Sequence, residues 1–213
     1  MTNSGSNKFR LLFFLLSLVF ISGGYARTPD FTLTQPDSWK PAFSSTFEKG
    51  LYKTRLEIGK HKLSGMMFMK RTSDSTFRVV FANEIGMTFF DIEISAVSAT
   101  VHAIFPSMDK PALLKTLEQD LRLMLIRDPF ITKIMPCKIK DESKRTYKTK
   151  SSWGKATYFV EQDSQRLYRH KSARSMINRT EIRYTYGDPK IPVSIYLVNP
   201  TIRIHLYMNL LNN

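Results

Sequence analysis

The segment from Leu51 to Leu211 reads as a succession of short β-strands, and this pattern restricts the possible folds more than any other feature. Segments such as "LYKTRLEIG", "FRVVFAN" and "MTFFDIEIS" alternate apolar and polar residues, and short connections such as "RTSDS" join them. Short connections imply antiparallel neighbours. Strands of the same kind resume after Pro129, so we expect roughly ten to twelve in total. A sheet with that many strands normally curls.

One segment, "MDKPALLKTLEQDLRLMLIRDP", has helical periodicity instead. Its apolar residues recur at steps of three and four, with polar residues on the other side. The apolar stripe consists of Leu113, Leu114, Leu117, Leu121, Met124 and Leu125. We predict a helix of about 17 residues, capped by Asp109, with Pro111 in its first turn and Asp128 at its end. The predicted fold is mainly β (α+β): a curled, incomplete antiparallel β-barrel of roughly ten to twelve strands, with the amphipathic helix covering its concave face.

The first 26 residues have the features of a secretory signal peptide. Lys8 and Arg10 precede an apolar run of 11 residues, and small residues at Gly24 and Ala26 precede Arg27. The run is shorter than the roughly 20 residues that a transmembrane helix needs, which argues against an uncleaved anchor. We therefore predict a signal peptide over 1–26, an N-terminal arm over 27–45, and a single exported domain over 46–213.

The chain is strongly basic, with a formal net charge of +14 that falls to +12 once Lys8 and Arg10 are removed with the signal peptide. Export argues against nucleic acid as a partner, which leaves anionic lipid head groups, an acidic protein or simple solubility as explanations. Basic residues concentrate between Lys138 and Lys155 and in "RLYRHKSAR". If these strands are neighbours, their polar faces form one positive surface, for which a solvated outer face is the slightly favoured interpretation.

The sequence shows few signs of catalytic chemistry. The four histidines lie far apart, and none of the usual metal, nucleophile or phosphate-loop motifs occurs. Cys137 is the only cysteine, so it cannot form an internal disulfide, and it has no evident base. Asp91, Glu93 and Asp120 are interpreted as solvated or ion-paired surface carboxylates. We predict a protein that is not an enzyme and that uses no cofactor or metal.

The stretch "FRVVFANEIGMTFFDIEIS" predicts a β-hairpin with an isoleucine at its tip. Asn83 and Gly86 suit a tight turn because both tolerate positive φ at little steric cost. Ile85 is apolar and β-branched, and it is expected to be exposed. Either it projects from the turn to contact something, or it folds back under its own turn.

These features together resemble the bacterial outer-membrane lipoprotein receptor family (LolB-type), whose fold is shared with the periplasmic lipoprotein carriers (LolA-type). Ser64 and Gly65 match a strand with Ser-Gly, and the tip residues Asn83, Ile85 and Gly86 match an Asn-Pro-Leu-Gly turn. The closing hairpin matches through Pro192, Ile202, Ile204 and Leu206. The chain departs from the pattern at Glu84, which stands in place of the proline, and it lacks the membrane-anchoring cysteine.

The resemblance implies a periplasmic, non-enzymatic binder of acyl chains that holds or transfers a lipoprotein or lipid toward the outer membrane of a Gram-negative-type bacterium. It implies an acylated lipoprotein or lipid as partner, transient contact with a membrane surface, and a membrane-insertion role for Ile85. We expect a monomer in the periplasm or peripheral to the outer membrane. Strand parity and the helix stripe select as acyl-cavity candidates Met67, Val79, Phe81, Phe90, Ile92, Leu117, Leu121 and Met124. The alternatives are an envelope scaffolding protein with a filled interior and a lipid hydrolase.

Overall fold

Twelve β-strands and one α-helix account for most of the residues that the computed structural model describes, which are 39–137, 141–174, 179–187 and 191–211. The first strands are β1 Lys49–Ile58, β2 His61–Ser73, β3 Thr76–Ala82, β4 Thr88–Ile94 and β5 Ala99–Ile104. The helix α1 spans Pro111–Leu125. The remaining strands are β6 Ile131–Cys137, β7 Lys144–Ser151, β8 Gly154–Glu161, β9 Leu167–Ala173, β10 Arg179–Tyr186, β11 Pro192–Asn199 and β12 Ile204–Leu210. The predicted signal peptide lies outside the described residues.

All twelve strands form one antiparallel sheet in the order β5-β4-β3-β2-β1-β12-β11-β10-β9-β8-β7-β6. Strands that are consecutive along the chain are neighbours in the sheet, except β5 and β6, and β1 pairs with β12 at the centre. The two edge strands are β5 and β6, so the sheet is not closed on itself. The helix connects these two edges, because it follows β5 and precedes β6.

The sheet curls around α1. Arg122 on the helix donates a hydrogen bond of 2.8 Å from Nε to the carbonyl oxygen of Ser95, just after β4. Tyr184 on β10 donates one of 3.0 Å to the carbonyl oxygen of Met124 on the same helix. In a flat sheet β4 and β10 would lie about 29 Å apart, whereas a helix is only about 10–12 Å wide. The prediction of a curled, incomplete barrel with a helix on its concave face is therefore confirmed.

The segment just before β1, which includes the end of the predicted N-terminal arm, packs into the hydrophobic core. Trp39, Phe43 and Phe47 are buried, and the Trp39 ring stacks on Tyr158 with the ring centroids 4.4 Å apart. The Phe47 backbone N–H donates to the Ser44 carbonyl oxygen at 3.0 Å and closes a turn. This part of the predicted arm therefore belongs to the hydrophobic core, and the rest of the arm, residues 27–38, lies outside the described residues.

The helix begins two residues after the predicted cap. Its N-cap is Lys110, which is extended and makes no side-chain capping bond, and Pro111 occupies the first turn as expected. Asp109 does not cap the helix because residues 106–108 form a short 3-10 turn, and the Asp109 backbone N–H donates to the carbonyl oxygen of Pro106. The predicted capping role of Asp109 is wrong, and the helix has 15 residues.

Candidate functional site

The inner face of the sheet and the apolar stripe of α1 form one continuous hydrophobic core. The eight acyl-cavity candidates all lie in it, and each is at most 2% exposed. Met67, Phe81 and Phe90 stand opposite one another on three adjacent strands, and Leu117, Leu121 and Met124 approach from the helix. Sequence reasoning placed these side chains on the correct face, and their role in binding acyl chains stays a prediction.

The same face contains buried residues that the sequence analysis did not select. Met69, Ile94, Leu56 and Met208 are each at most 1% exposed. Strand parity could have found Met69 and Ile94, because each lies two residues beyond a selected position on its own strand.

The inner face is filled by its own side chains in this structure. A cavity that touches Met124 holds only about 20 Å³, little more than one water molecule needs. A much larger cavity, of about 950 Å³, is lined by none of the eight candidates. An acyl chain would therefore enter the inner face only if α1 moved.

A buried polar group joins α1 to the sheet, and we call it the Asp120 cluster: Asp120, Thr180 and Asn199. The Thr180 hydroxyl donates to Asp120 Oδ1 at 2.6 Å, and Asn199 Nδ2 donates to both carboxylate oxygens at 3.2 and 3.1 Å. All three residues are at most 4% exposed. Burial raises the pKa of Asp120 to about 6, although the two hydrogen-bond donors favour its charged form.

The interpretation of Asp120 as a surface carboxylate is wrong. On a helix Asp120 lies three residues after Leu117 and four before Met124, at the margin of the apolar stripe. The sheet curls far enough to cover this margin and presents Thr180 and Asn199 there. The helix sequence gave no sign of these partners, because both lie on strands more than 50 residues further along the chain.

His170 on β9 forms a second contact with α1. It is 2% exposed, stacks on Tyr158 with ring centroids 4.4 Å apart, and hydrogen-bonds the backbone of Leu123. Burial lowers its pKa to about 4, so the ring is neutral at pH 7. Its Nε2 atom has no hydrogen-bond partner in the part of the chain that the structure describes.

The tip of the β3–β4 hairpin exposes Ile85 almost completely, at 89%. The Met87 backbone N–H donates to Asn83 Oδ1 at 2.7 Å, the Gly86 N–H donates to the Asn83 carbonyl oxygen at 3.1 Å, and Gly86 has a φ of +87°. These contacts fix the turn without using the Ile85 side chain. Ile85 therefore projects outward, and the fold-back alternative is excluded.

Gly65 on β2 explains how the chain enters this tip. A Cβ atom at Gly65 would lie 2.0 Å from the carbonyl oxygen of Ala82, the last residue of β3. Only glycine allows this close approach of the two backbones. The Ser-Gly pair and the tip residues, which lie 18 positions apart in the sequence, are thus parts of one structural feature.

The fold of this chain is similar to that of solved protein structures. The chain superposes on a LolA superfamily protein from Nitrosomonas europaea with a TM-score of 0.51 and 12% identity, covering 77% of this chain and 83% of that one. This chain has the LolA-type fold. A provisionally assigned outer membrane lipoprotein-sorting protein domain from Vibrio parahaemolyticus aligns over 77% and 83% of the two chains, with a TM-score of 0.46 and 7% identity. No protein-family model matches the sequence, and no curated protein matches it.

The LolA-type fold places the basic segments together, as the sequence analysis anticipated. Strands β7, β8 and β9 are consecutive in the sheet, and their outward residues Lys148 and Lys171 both stand opposite Thr157. These residues line the cavity of about 950 Å³, which lies on the outer face, on the other side of the sheet from α1.

The His, Cys, Asp and Glu side chains are dispersed over the described residues. Among them, no group of three or more His, Cys, Asp or Glu side chains could hold a metal ion. Asp91 pairs with Arg78 through two hydrogen bonds of 2.9 and 2.7 Å, as expected for a surface carboxylate. Within the same residues, no helix has the length and apolar character needed to cross a membrane.

Proposed function

We propose that this protein is a periplasmic, non-enzymatic binder of acyl chains, which holds or transfers a lipoprotein or lipid toward the outer membrane. The observation that carries the proposal is a mainly apolar inner face that is covered by a single helix. The LolA-type fold supports it, because a solved protein of that superfamily has the same architecture. In this proposal α1 is a movable cover, and the eight candidate residues contact the acyl chain after α1 moves.

The binding energy would come from burial alone. An acyl chain of about 14 methylenes gains roughly 0.8 kcal/mol for each CH₂ group removed from water. Part of this gain is offset, because α1 must give up its own contacts with the inner face. Binding would therefore be reversible, as a carrier requires.

The contacts between α1 and the sheet allow such movement. Apart from apolar packing, the polar contacts of the helix with the described residues include the Asp120 cluster, the hydrogen bonds of Tyr184 and Arg122 with backbone carbonyls, and that of His170 with the Leu123 backbone. An apolar ligand replaces the apolar contacts but not the polar ones. The hydrogen bonds of the Asp120 cluster are lost without replacement when α1 moves away from the sheet, so this cluster opposes that movement.

Ile85 would act at the membrane. Its exposed side chain can enter the interface between head groups and acyl chains, where apolar area is stabilised. The tip is held by its own hydrogen bonds, so insertion needs no rearrangement of the turn. Transient contact with a membrane surface, a monomeric state, and delivery by a cleaved signal peptide complete the proposal.

One observation favours a second candidate, an envelope scaffolding protein with a filled interior. The inner face is packed in this structure, with Tyr52, Leu56 and Met67 fully buried. A scaffold would keep this packing permanently, whereas a carrier would open.

Mass spectrometry of the lipids and lipoproteins that copurify from the native envelope, without detergent, tests the proposal. We expect acylated molecules in amounts close to one for each protein chain. A preparation with no acylated molecule, which also fails to bind a fluorescent fatty acid after gentle warming, would favour the scaffold.

A further inference from the structure

The outer face of the sheet contains a groove that the acyl-binding proposal does not use. It has a volume of about 950 Å³ and crosses the strands from β6 to β11. Two rows of outward residues line most of it, because directly opposed residues on neighbouring strands share a face, and the rest of the lining is Thr149, Ala156, Ser172, Thr180 and Pro200. The first row is Lys133, Lys150, Lys155, Ala173 and Arg179, and the second is Met135, Lys148, Thr157, Lys171, Glu181 and Val198.

Three lysines of the first row place like charges next to one another. Lys133, Lys150 and Lys155 stand directly opposite on three successive strands. Like charges in such pairs destabilise a sheet. No carboxylate of the described residues lies within 4.0 Å of these three ammonium groups. A bound anion would offset their repulsion.

Glu181 is the one carboxylate among the described residues that line the groove, and it is already ion-paired. Glu181 contacts Arg169 at 2.8 Å, Lys171 at 3.4 Å and Arg183 at 2.8 Å. These three cations already pair with the carboxylate of Glu181, so it does not neutralise the lysines of the first row.

Protection of a sheet edge accounts for only part of this arrangement. Lysines on edge strands discourage pairing with other sheets, and β6 is an edge strand, so Lys133 has such a reason. Lys150 on β7 and Lys155 on β8 lie on strands that are paired on both sides. Their directly opposed positions call for a different explanation.

The groove also has apolar parts. Met135 is exposed at the β6 end, Ala173 lies in the middle of the first row, and Val198 and Pro200 line the other end. The volume falls within the range of sites that bind single small ligands. A ligand with one densely charged anionic group and an apolar remainder matches this distribution.

We propose that the outer groove binds a lipid phosphate monoester, with the phosphate at Lys133, Lys150 and Lys155 and the apolar part along Ala173 and Val198. A phosphate monoester carries a charge of about −1.5 to −2 at pH 7 and three acceptor oxygens, which suits three lysines that stand opposite one another along the same groove. The three lysines lie on the opposite face of the sheet from α1, and none of the eight acyl-cavity candidates lines the groove.

Calorimetry with dihexanoylphosphatidic acid, a soluble short-chain lipid, tests the proposal on the mature chain. We expect this lipid to bind about tenfold or more tightly than dihexanoylphosphatidylcholine, and the double variant Lys150→Gln, Lys155→Gln to lose at least about tenfold in affinity. The matched control is Lys53→Gln, Lys62→Gln, which removes two exposed lysines of β1 and β2 outside the groove and should stay within about twofold. Without ligand, the groove variant should melt at a higher temperature than the control.

Three results would overturn the proposal: unchanged affinity in the groove variant, equal affinity for inorganic phosphate alone, or tighter binding of hexaglutamate, which would indicate an acidic protein partner. The groove variant should still bind a fluorescent fatty acid at the inner face, and Leu121→Glu should still bind dihexanoylphosphatidic acid. These two measurements separate a failure of this site from a failure of the acyl-binding proposal.

Discussion

Ile85 occupies a turn in which neighbouring backbone and Asn83 atoms make the stabilising hydrogen bonds. Replacing it with Glu should change the free energy of unfolding by no more than about 0.5 kcal/mol, because the exposed side chain makes few contacts that unfolding would break. Association with anionic vesicles should fall, since two adjacent carboxylates, Glu84 and the new one, would face the head groups. Vesicle flotation and thermal melts measure the two effects.

Two variants serve as controls for Ile85→Glu. Ile85→Leu keeps the apolar area and should behave like the parent. Val97→Glu adds the same charge at another exposed turn, where the side chain is 78% exposed, and should leave flotation intact. Equal losses of flotation in Ile85→Glu and Val97→Glu would show that net charge, rather than the hairpin tip, governs association.

Asp120 and His170 make opposite contributions to the pH dependence of stability. The folded-state pKa of Asp120 is raised from 3.8 to about 6, so its contribution is present below pH 3.8 and is lost as the pH rises through 6. The pKa of His170 is lowered from 6.5 to about 4, so its contribution is present above pH 6.5 and is lost as the pH falls through 4. Between pH 4 and 6 the two slopes, each about 1.4 kcal/mol per pH unit, nearly cancel.

Urea titrations of Asp120→Asn and His170→Phe between pH 4 and 6 should separate these contributions. Relative to the parent, Asp120→Asn should lose about 3 kcal/mol of unfolding free energy as the pH falls from 6 to 4, and His170→Phe should gain about as much. Parallel profiles for the parent and both variants would mean that neither group is buried in the folded state at these pH values.

Among the secondary-structure elements, α1 matters most to the proposed function, because it covers the inner face of the sheet. Leu121 lies at the centre of its apolar stripe and is 1% exposed. Leu121→Glu should cost at least about 3 kcal/mol, because it places a carboxylate in an apolar interior, and fatty-acid binding should be lost. Thermal melts and displacement of a fluorescent fatty acid measure both, with Ala112→Glu on the exposed face of α1 as control. Normal stability together with normal binding would show that the stripe faces neither core nor ligand.

The helix also shows why sequence patterns predict apolar positions better than polar ones. Leu117, Leu121, Met124 and Leu125 of the predicted stripe are buried, whereas Leu113 and Leu114 are only half-buried and Leu123, which is also buried, was not predicted. Asp120 was misassigned because its burial depends on Thr180 and Asn199, and no local pattern announces partners so distant in the chain. The predicted capping role of Asp109 was wrong for a related reason. Asp109 ends the preceding 3-10 turn, where its backbone N–H donates to the carbonyl oxygen of Pro106.

At the scale of the whole molecule, alternation predicted the strands, but not how the two halves join. Short connections imply the β1–β5 and β6–β12 neighbours, whereas the pairing of β1 with β12 depends on long-range register such as Leu56 opposite Leu206. The sequence predicted one basic surface on the condition that its basic strands are neighbours, and β7, β8 and β9 are consecutive in the sheet. The groove within it could not be predicted, because its depth depends on the twist of the sheet and on small residues such as Ala173.

The central claim is that acyl chains bind between α1 and the inner face. Methionine methyl NMR with a spin-labelled fatty acid tests it most directly, because Met67, Met69 and Met124 are buried at that interface while Met87 and Met135 are exposed elsewhere. We expect the label to broaden the methyl signals of Met67, Met69 and Met124 first, and unlabelled fatty acid to restore them. Broadening confined to Met87 and Met135, with the buried methyl signals unchanged, would contradict the claim.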